Sequence, residues 1–224
     1  MKMRLLVRGA VAFVALPLGL AACSAGSEYE GNVTTNEAAL SSPADPIAFC
    51  KASGLNVIIG TQSNDVLTGT AAADCIVGLG GQDTINAGGG DDIVFAGEGN
   101  DVVTGGDGND QLFGGGGQDN LQGNAGNDQL NGEDGDDVLH GNDGDDVLSG
   151  GQGQDRLFGD AGNDTLNGDV GDDQLQGGDG DDTLADCTNH NVLNGGTGTN
   201  TCQASTTGIN SSSLTSCQTT TKCP

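Results

Sequence analysis

The sequence predicts an all-β repeat fold, a solenoid of short strands stacked on one another. Three observations carry this. Aspartate recurs at nine-residue spacing fourteen times, from Asp65 to Asp182. An aliphatic residue stands two positions after each one, from Leu67 and Ile76 through Leu112 to Leu184. Glycine stands two positions before each of them from Gly81 to Gly180 without a break. A period held this long marks a chain built from one repeated supersecondary unit.

Composition says what such a fold would require. The 224 residues include 42 glycines, 32 acids, six bases and no Trp, with a formal net charge of −26. Low hydrophobicity with high net charge ordinarily leaves a chain disordered, so a stoichiometric counter-cation is the natural remedy. Nucleic acid is excluded as a partner, because its phosphates would be repelled.

The elements follow in order. Lys2, Arg4 and Arg8 precede an apolar stretch ending at Leu20. That stretch is too short to cross a bilayer and is ordered like an export signal. Leu20-Ala21-Ala22-Cys23 resembles a bacterial lipobox, which implies a signal peptide over 1–22 and a lipid on Cys23. Residues 23–49 are rich in Ser, Ala, Glu, Asn and Thr and are expected to form a flexible tether. Three of the six bases lie in 1–22, so the rest of the chain sets only Lys51, Arg156 and Lys222 against all the acids.

The repeat unit is G-G-x-G-x-D-x-L-x, clean in Gly105–Phe113 and Gly177–Ala185. Its glycines permit turns that need positive φ. The remaining x-L-x is a very short strand whose alternation sends Leu to one face and its neighbours to the other. Stacked strands lie ~4.8 Å apart, and ionised carboxylates that close repel unless a cation sits among them. Calcium suits a loop that offers carboxylates and backbone carbonyls, since it takes six to eight oxygens. Soft metals do not, because neither His nor Cys repeats in register. An EF-hand is excluded by the nine-residue period and the lack of a closing Glu. Phosphate binding is excluded by the acidic loops, which precede no helix.

The unit resembles the calcium-binding nonapeptide repeat of RTX (haemolysin-type) proteins over about residues 60–203. The resemblance implies a right-handed parallel β-roll of about sixteen nonapeptides, two per turn, with ions held between loops of units n and n+2. One row of carboxylates is then Asp83, Asp101, Asp119, Asp137, Asp155 and Asp173. The other is Asp92, Asp110, Asp128, Asp146, Asp164 and Asp182. First-position glycines such as Gly105, Gly114, Gly123, Gly132, Gly141 and Gly150 join them as metal-site residues. Six carboxylates per side imply about ten Ca2+ ions. One buried Leu per nine residues is too small a core to offset the entropy of ordering them, so folding is expected to depend on calcium.

Register decays at both ends, as capping requires. Residues 50–59 read as an N-terminal cap, a degenerate unit with Gly54, Asn56 and Ile58 in phase. Units 60–68 and 69–77 carry Ser63 and Ala72 in place of the fourth-position glycine. Asn191 and Asn200 replace Asp at the far end, and these outer loops are expected to bind calcium weakly or not at all. Residues 204–224 form a Ser/Thr-rich tail. Besides Cys23 there are six cysteines, an even number that suggests disulfides in an exported chain. Proximity pairs Cys50 with Cys75, Cys187 with Cys202, and Cys217 with Cys223.

No segment outside these is long enough for a catalytic domain, and no catalytic residues are assigned. His140 and His190 read as solvated side chains. The chain is therefore expected to be a non-enzymatic, calcium-binding lipoprotein of the bacterial cell surface or outer membrane, folded by extracellular calcium. Its role would be structural, adhesive or scaffolding, with a protein or polysaccharide partner that the sequence does not name. The alternative is an enzyme or accessory subunit acting on acidic polysaccharide, by analogy of fold.

Overall fold

A computed structural model describes residues 43–186, 190–204 and 213–222. The signal segment, Cys23, most of the tether, Cys187 and Cys223 lie outside the described residues.

Two parallel sheets face each other. The first is built of β1 (Asn56–Ile59), β3 (Asp74–Gly80), β5 (Ile93–Glu98), β7 (Gln111–Gly116), β9 (Gln129–Asp134), β11 (Val147–Gln152), β13 (Thr165–Val170), β15 (Thr183–Asp186), β17 (Thr201–Ala204) and β19 (Thr219–Lys222). The second holds β2 (Val66–Thr68), β4 (Thr84–Gly89), β6 (Val102–Asp107), β8 (Asn120–Ala125), β10 (Val138–Asp143), β12 (Arg156–Ala161), β14 (Gln174–Asp179), β16 (Val192–Thr197) and β18 (Ser213–Thr215). Odd strands pair only with odd and even with even, so the chain alternates sheets at every unit. Leu139 lies beside Leu121 and Leu157, eighteen residues away on either side. Two nonapeptides thus make one turn of a parallel β-roll of about eight turns.

The aliphatic column fills the interior. Ile76, Ile85, Val94, Val103 and each Leu from Leu112 to Leu193 are buried between the sheets, and Cys202 takes the same position in β17. The strands are longer than the three residues expected. Most run six, through the first-position glycine and two residues beyond it. The ladder skips that glycine: His140 pairs with Phe158 and Asn142 with Asp160, while Gly141 has no partner between them. Residues in the second position supply the bend. Gly106, Gly115, Gly151 and Gly178 share positive φ there with Asn124, Glu133, Asn142, Asp160 and Asp169. Asn and Asp tolerate this conformation better than most residues.

Both end assignments need correction. A helix, α1 (Pro46–Ser53), begins inside the segment expected to be a tether. Asp45 caps it by accepting from the Ala48 amide at 2.9 Å, Pro46 stands in its first turn, and Gly54 ends it in the left-handed region at φ 83°. The helix lies on the outer face of the first sheet. Cys50 bonds to Cys75 of β3, and Phe49 meets Phe95 edge-on at 5.9 Å, with Phe95 stacked on Phe113 at 5.0 Å. Outward positions that are Val77, Phe95 and Phe113 under the helix become Asn131, Ser149 and Asn167 beyond it. Only β1 of the N-terminal cap is in phase with the repeats, with Ile58 beside Ile76.

At the other end the tail contributes β18 and β19, which extend the two sheets. β18 pairs with β16 at a separation of twenty-one residues, three more than elsewhere. The expected pairings of Cys187 with Cys202 and of Cys217 with Cys223 are overturned, because Cys202 bonds to Cys217. Cys202 points into the core, and the next turn of the roll returns Cys217 to within 5.8 Å of it, Cα to Cα. Proximity along the chain was the wrong measure; proximity across one turn decides.

Candidate metal centre

Each loop delivers its aspartate into the interior, just before the strand begins. Asp83, Asp92, Asp101, Asp110, Asp119, Asp128, Asp137, Asp146, Asp155, Asp164, Asp173 and Asp182 are all buried. One carboxylate oxygen of each is accounted for. Oδ1 accepts from the amide of the aspartate one turn earlier, at 2.7–3.0 Å in all twelve, as in Asp92 N–H to Asp110. The other oxygen, Oδ2, is equally buried and has no hydrogen-bond partner in any of the twelve. A buried, unpaired carboxylate oxygen is costly.

The surroundings of Oδ2 are oxygens. A side chain at Gly105 would run into Asp110 Oδ2 and come within 2.9 Å of the Gly123 carbonyl. Gly114, Gly132, Gly141 and Gly150 repeat the arrangement, each with its own aspartate's Oδ2 and the carbonyl of the glycine eighteen residues on. At Gly123 the crowding comes from Asp128 alone. Asn200 reveals the character of the site by contrast. Its amide nitrogen, in the place of Oδ2, donates to the carbonyls of Gly195 at 2.6 Å, Thr197 at 3.0 Å and Ser216 at 3.4 Å. Where the amide is a carboxylate, oxygen faces oxygen, and a proton or a cation must come between them.

The electrostatics agree. From Asp92 to Asp182 burial is the first cause that pushes the carboxyls up, opposed by the amide bond to Oδ1 and, at all but Asp128, reinforced by neighbouring carboxylates. Asp110, Asp128 and Asp137 rise to about 6 and Asp92, Asp119, Asp146, Asp155 and Asp164 to about 7. Asp101, Asp173 and Asp182 are also raised. Among the described residues no three acids, histidines or cysteines converge on one point. Any ion here must take backbone carbonyls as well, which suits calcium.

The outer units resolve differently. In the first two, a second-position threonine satisfies the carboxylate. Thr61 donates its amide and hydroxyl to Asp65 Oδ2 at 2.6 and 2.9 Å, and Thr70 does the same for Asp74 at 2.5 and 2.9 Å.

A second ladder, outside the aspartates, was not anticipated. Fifth-position Asp and Asn accept from the amide one turn later, as from Asn109 to Asp91, Asn127 to Asn109 and Asp145 to Asn127. In the other row Gln82, Gln118 and Gln154 alternate with Asn64, Asn100 and Asp136 and only donate. His140 is not simply solvated: it stacks on Phe158 at 4.5 Å and meets Asp160 at 3.0 Å. His190 lies 3.4 Å from Asp172.

Comparison with known families decides the assignment. A model of four RTX calcium-binding nonapeptide repeats matches residues 52–85, 86–121, 113–148, 122–157 and 149–184, more than half of the chain. The chain belongs to the RTX calcium-binding nonapeptide repeat family. No curated protein matches it closely enough to serve as a relative. The match begins at residue 52 and ends at 184, so it takes in all twelve repeat aspartates from Asp83 to Asp182 of the RTX roll.

Proposed function

We propose that the chain is a calcium-binding, non-enzymatic surface lipoprotein whose RTX roll is completed by the ion. The observation that carries this reading is the set of twelve buried Oδ2 atoms that no protein group satisfies. Asp83 to Asp182, six in each row, are the carboxylate ligands, and carbonyls around the first-position residues supply neutral oxygens. Bound calcium cancels the negative charge among neighbouring loops and takes up the unpaired oxygens. The protein's part is to hold the carboxylates in register and to keep water away from them. Six carboxylates per row leave five intervals, so the roll takes about ten ions. Equilibrium dialysis of the full chain tests this: about ten calcium ions per chain support the reading, and none refutes it.

Export and a lipid on Cys23 complete the proposal and rest on the order of residues 1–23. Labelled palmitate incorporated into the chain, and lost in Cys23→Ser, is the expected result. An unlabelled, soluble chain would remove the anchor. The acidic-polysaccharide alternative finds little support. The cavity of about 350 Å³ beside Arg156 is lined by Asp136, Asp155 and Asp172, which would repel an acidic substrate.

A further inference from the structure

The unit at 186–194 departs from the repeat at four positions, with Cys187 and Asn189 also in place of glycines, and two of the departures bear on the metal site. Asn191 stands where the metal-site aspartate belongs, and Asp186 stands where the first-position glycine belongs. Asn191 keeps the structural half of the role, because its Oδ1 accepts from the Asp173 amide at 2.8 Å. The negative charge of that position is gone. Asp186 is fully buried, at the end of β15.

Its side chain carries a carboxylate into the space beside Asp173, one turn back. In neighbouring units of both rows, the space above a first-position glycine is bounded by that unit's Oδ2 and by a carbonyl eighteen residues on. At Gly150 these are Asp155 Oδ2 and the Gly168 carbonyl, and at Gly159 they are Asp164 Oδ2 and the Gly177 carbonyl. At Gly168 the residue eighteen on is Asp186. There its carboxylate oxygen, rather than its carbonyl, closes the space, opposite Asp173 Oδ2. Asp173 is 1% exposed, and its Oδ2 has no hydrogen-bond partner. Two carboxylates this close, away from water, do not both ionise without a cation between them.

We propose that Asp173 and Asp186 together hold a calcium ion, in a site beyond the consensus row, where a first-position carboxylate replaces the missing sixth-position one. The other row gives the contrast. There Asn200 has no such compensation, and its amide fills the space itself. The C-terminal ends of the two rows therefore differ: one row is closed by an amide, and the other ends on a charged site. The inference rests on calcium as the ligand of the consensus sites.

The test counts calcium per full chain by equilibrium dialysis and titration calorimetry. Asp186→Gly, which restores the consensus residue without its charge, is expected to lose one ion or to weaken one site about tenfold or more. Adding Asn191→Asp to that variant is expected to restore the ion. Circular dichroism in saturating calcium checks that the variants fold. Should Asp186→Gly fail that check, the near-isosteric Asp186→Asn is judged instead. Unchanged stoichiometry and affinities in the folded variant would overturn the proposal while leaving the consensus sites intact. A wild-type chain that binds no calcium would instead overturn the calcium reading on which the proposal rests.

Discussion

Acid should substitute for calcium. In the metal-free roll, eight buried aspartates have carboxyls raised from 3.8 to about 6 or about 7, chiefly by burial. At 1.36 kcal/mol per unit, holding one of them ionised at neutral pH costs about 3–4 kcal/mol. Three or four such groups match the whole stability of an ordinary domain, ~5–15 kcal/mol. The sign follows from proton linkage. Between pH 4 and the raised values, the folded chain holds protons that the unfolded chain has released. Stability from these groups is fully present below about pH 4 and is lost as pH rises through 6 to 7. With calcium bound the dependence reverses, because protons compete with the ion for the same oxygens. The assay is far-UV circular dichroism in excess chelator between pH 7.5 and 4. The expected result is β structure gained on acidification, with a midpoint above the ordinary carboxylate range. Identical spectra at both ends of the titration would refute the reasoning.

Three other outcomes are expected. Leu139→Ala, in the middle of the buried column, should lower calcium-saturated stability by about 2–5 kcal/mol in chemical denaturation; a change near zero would mean that the column does not pack as described. Gly126→Ala should disrupt the roll, because φ is 135° and the new Cβ would run into the Gly108 carbonyl. Glu133→Gly, at φ 71° in a second position, should leave melting nearly unchanged, so the pair separates a backbone requirement from a tolerance. Peptide mapping under non-reducing conditions should recover Cys202 joined to Cys217; Cys202 joined to Cys187 would contradict the fold of the last turns.

The central repeats were legible because their rule is local. Nine-residue spacing of Asp83 through Asp182 and the Leu column fix the two-sheet stack, the inward face and the carboxylate rows. What the rule omits is contact one turn away. The helix over Phe95 and Phe113 is not visible in a Pro-containing segment until the sheet offers it an apolar face. The bond of Cys202 to Cys217 depends on the turn that brings β17 beside the next loop. Asp65 and Asp74 are satisfied by the amide and hydroxyl of Thr61 and Thr70, a signal at the second position rather than at the Ser63 and Ala72 that mark those units as degenerate. Asp186 carries no signal in the repeat rule, since its meaning depends on Asp173 one turn back in the stack.

Protein groups alone do not complete the roll at neutral pH. This is tested most directly by titrating the full, oxidised chain with calcium at pH 7.5 under far-UV circular dichroism, with magnesium as control. The expected result is a cooperative gain of β structure with calcium and none with magnesium. A β spectrum already complete in chelator, and unmoved by calcium, would contradict it.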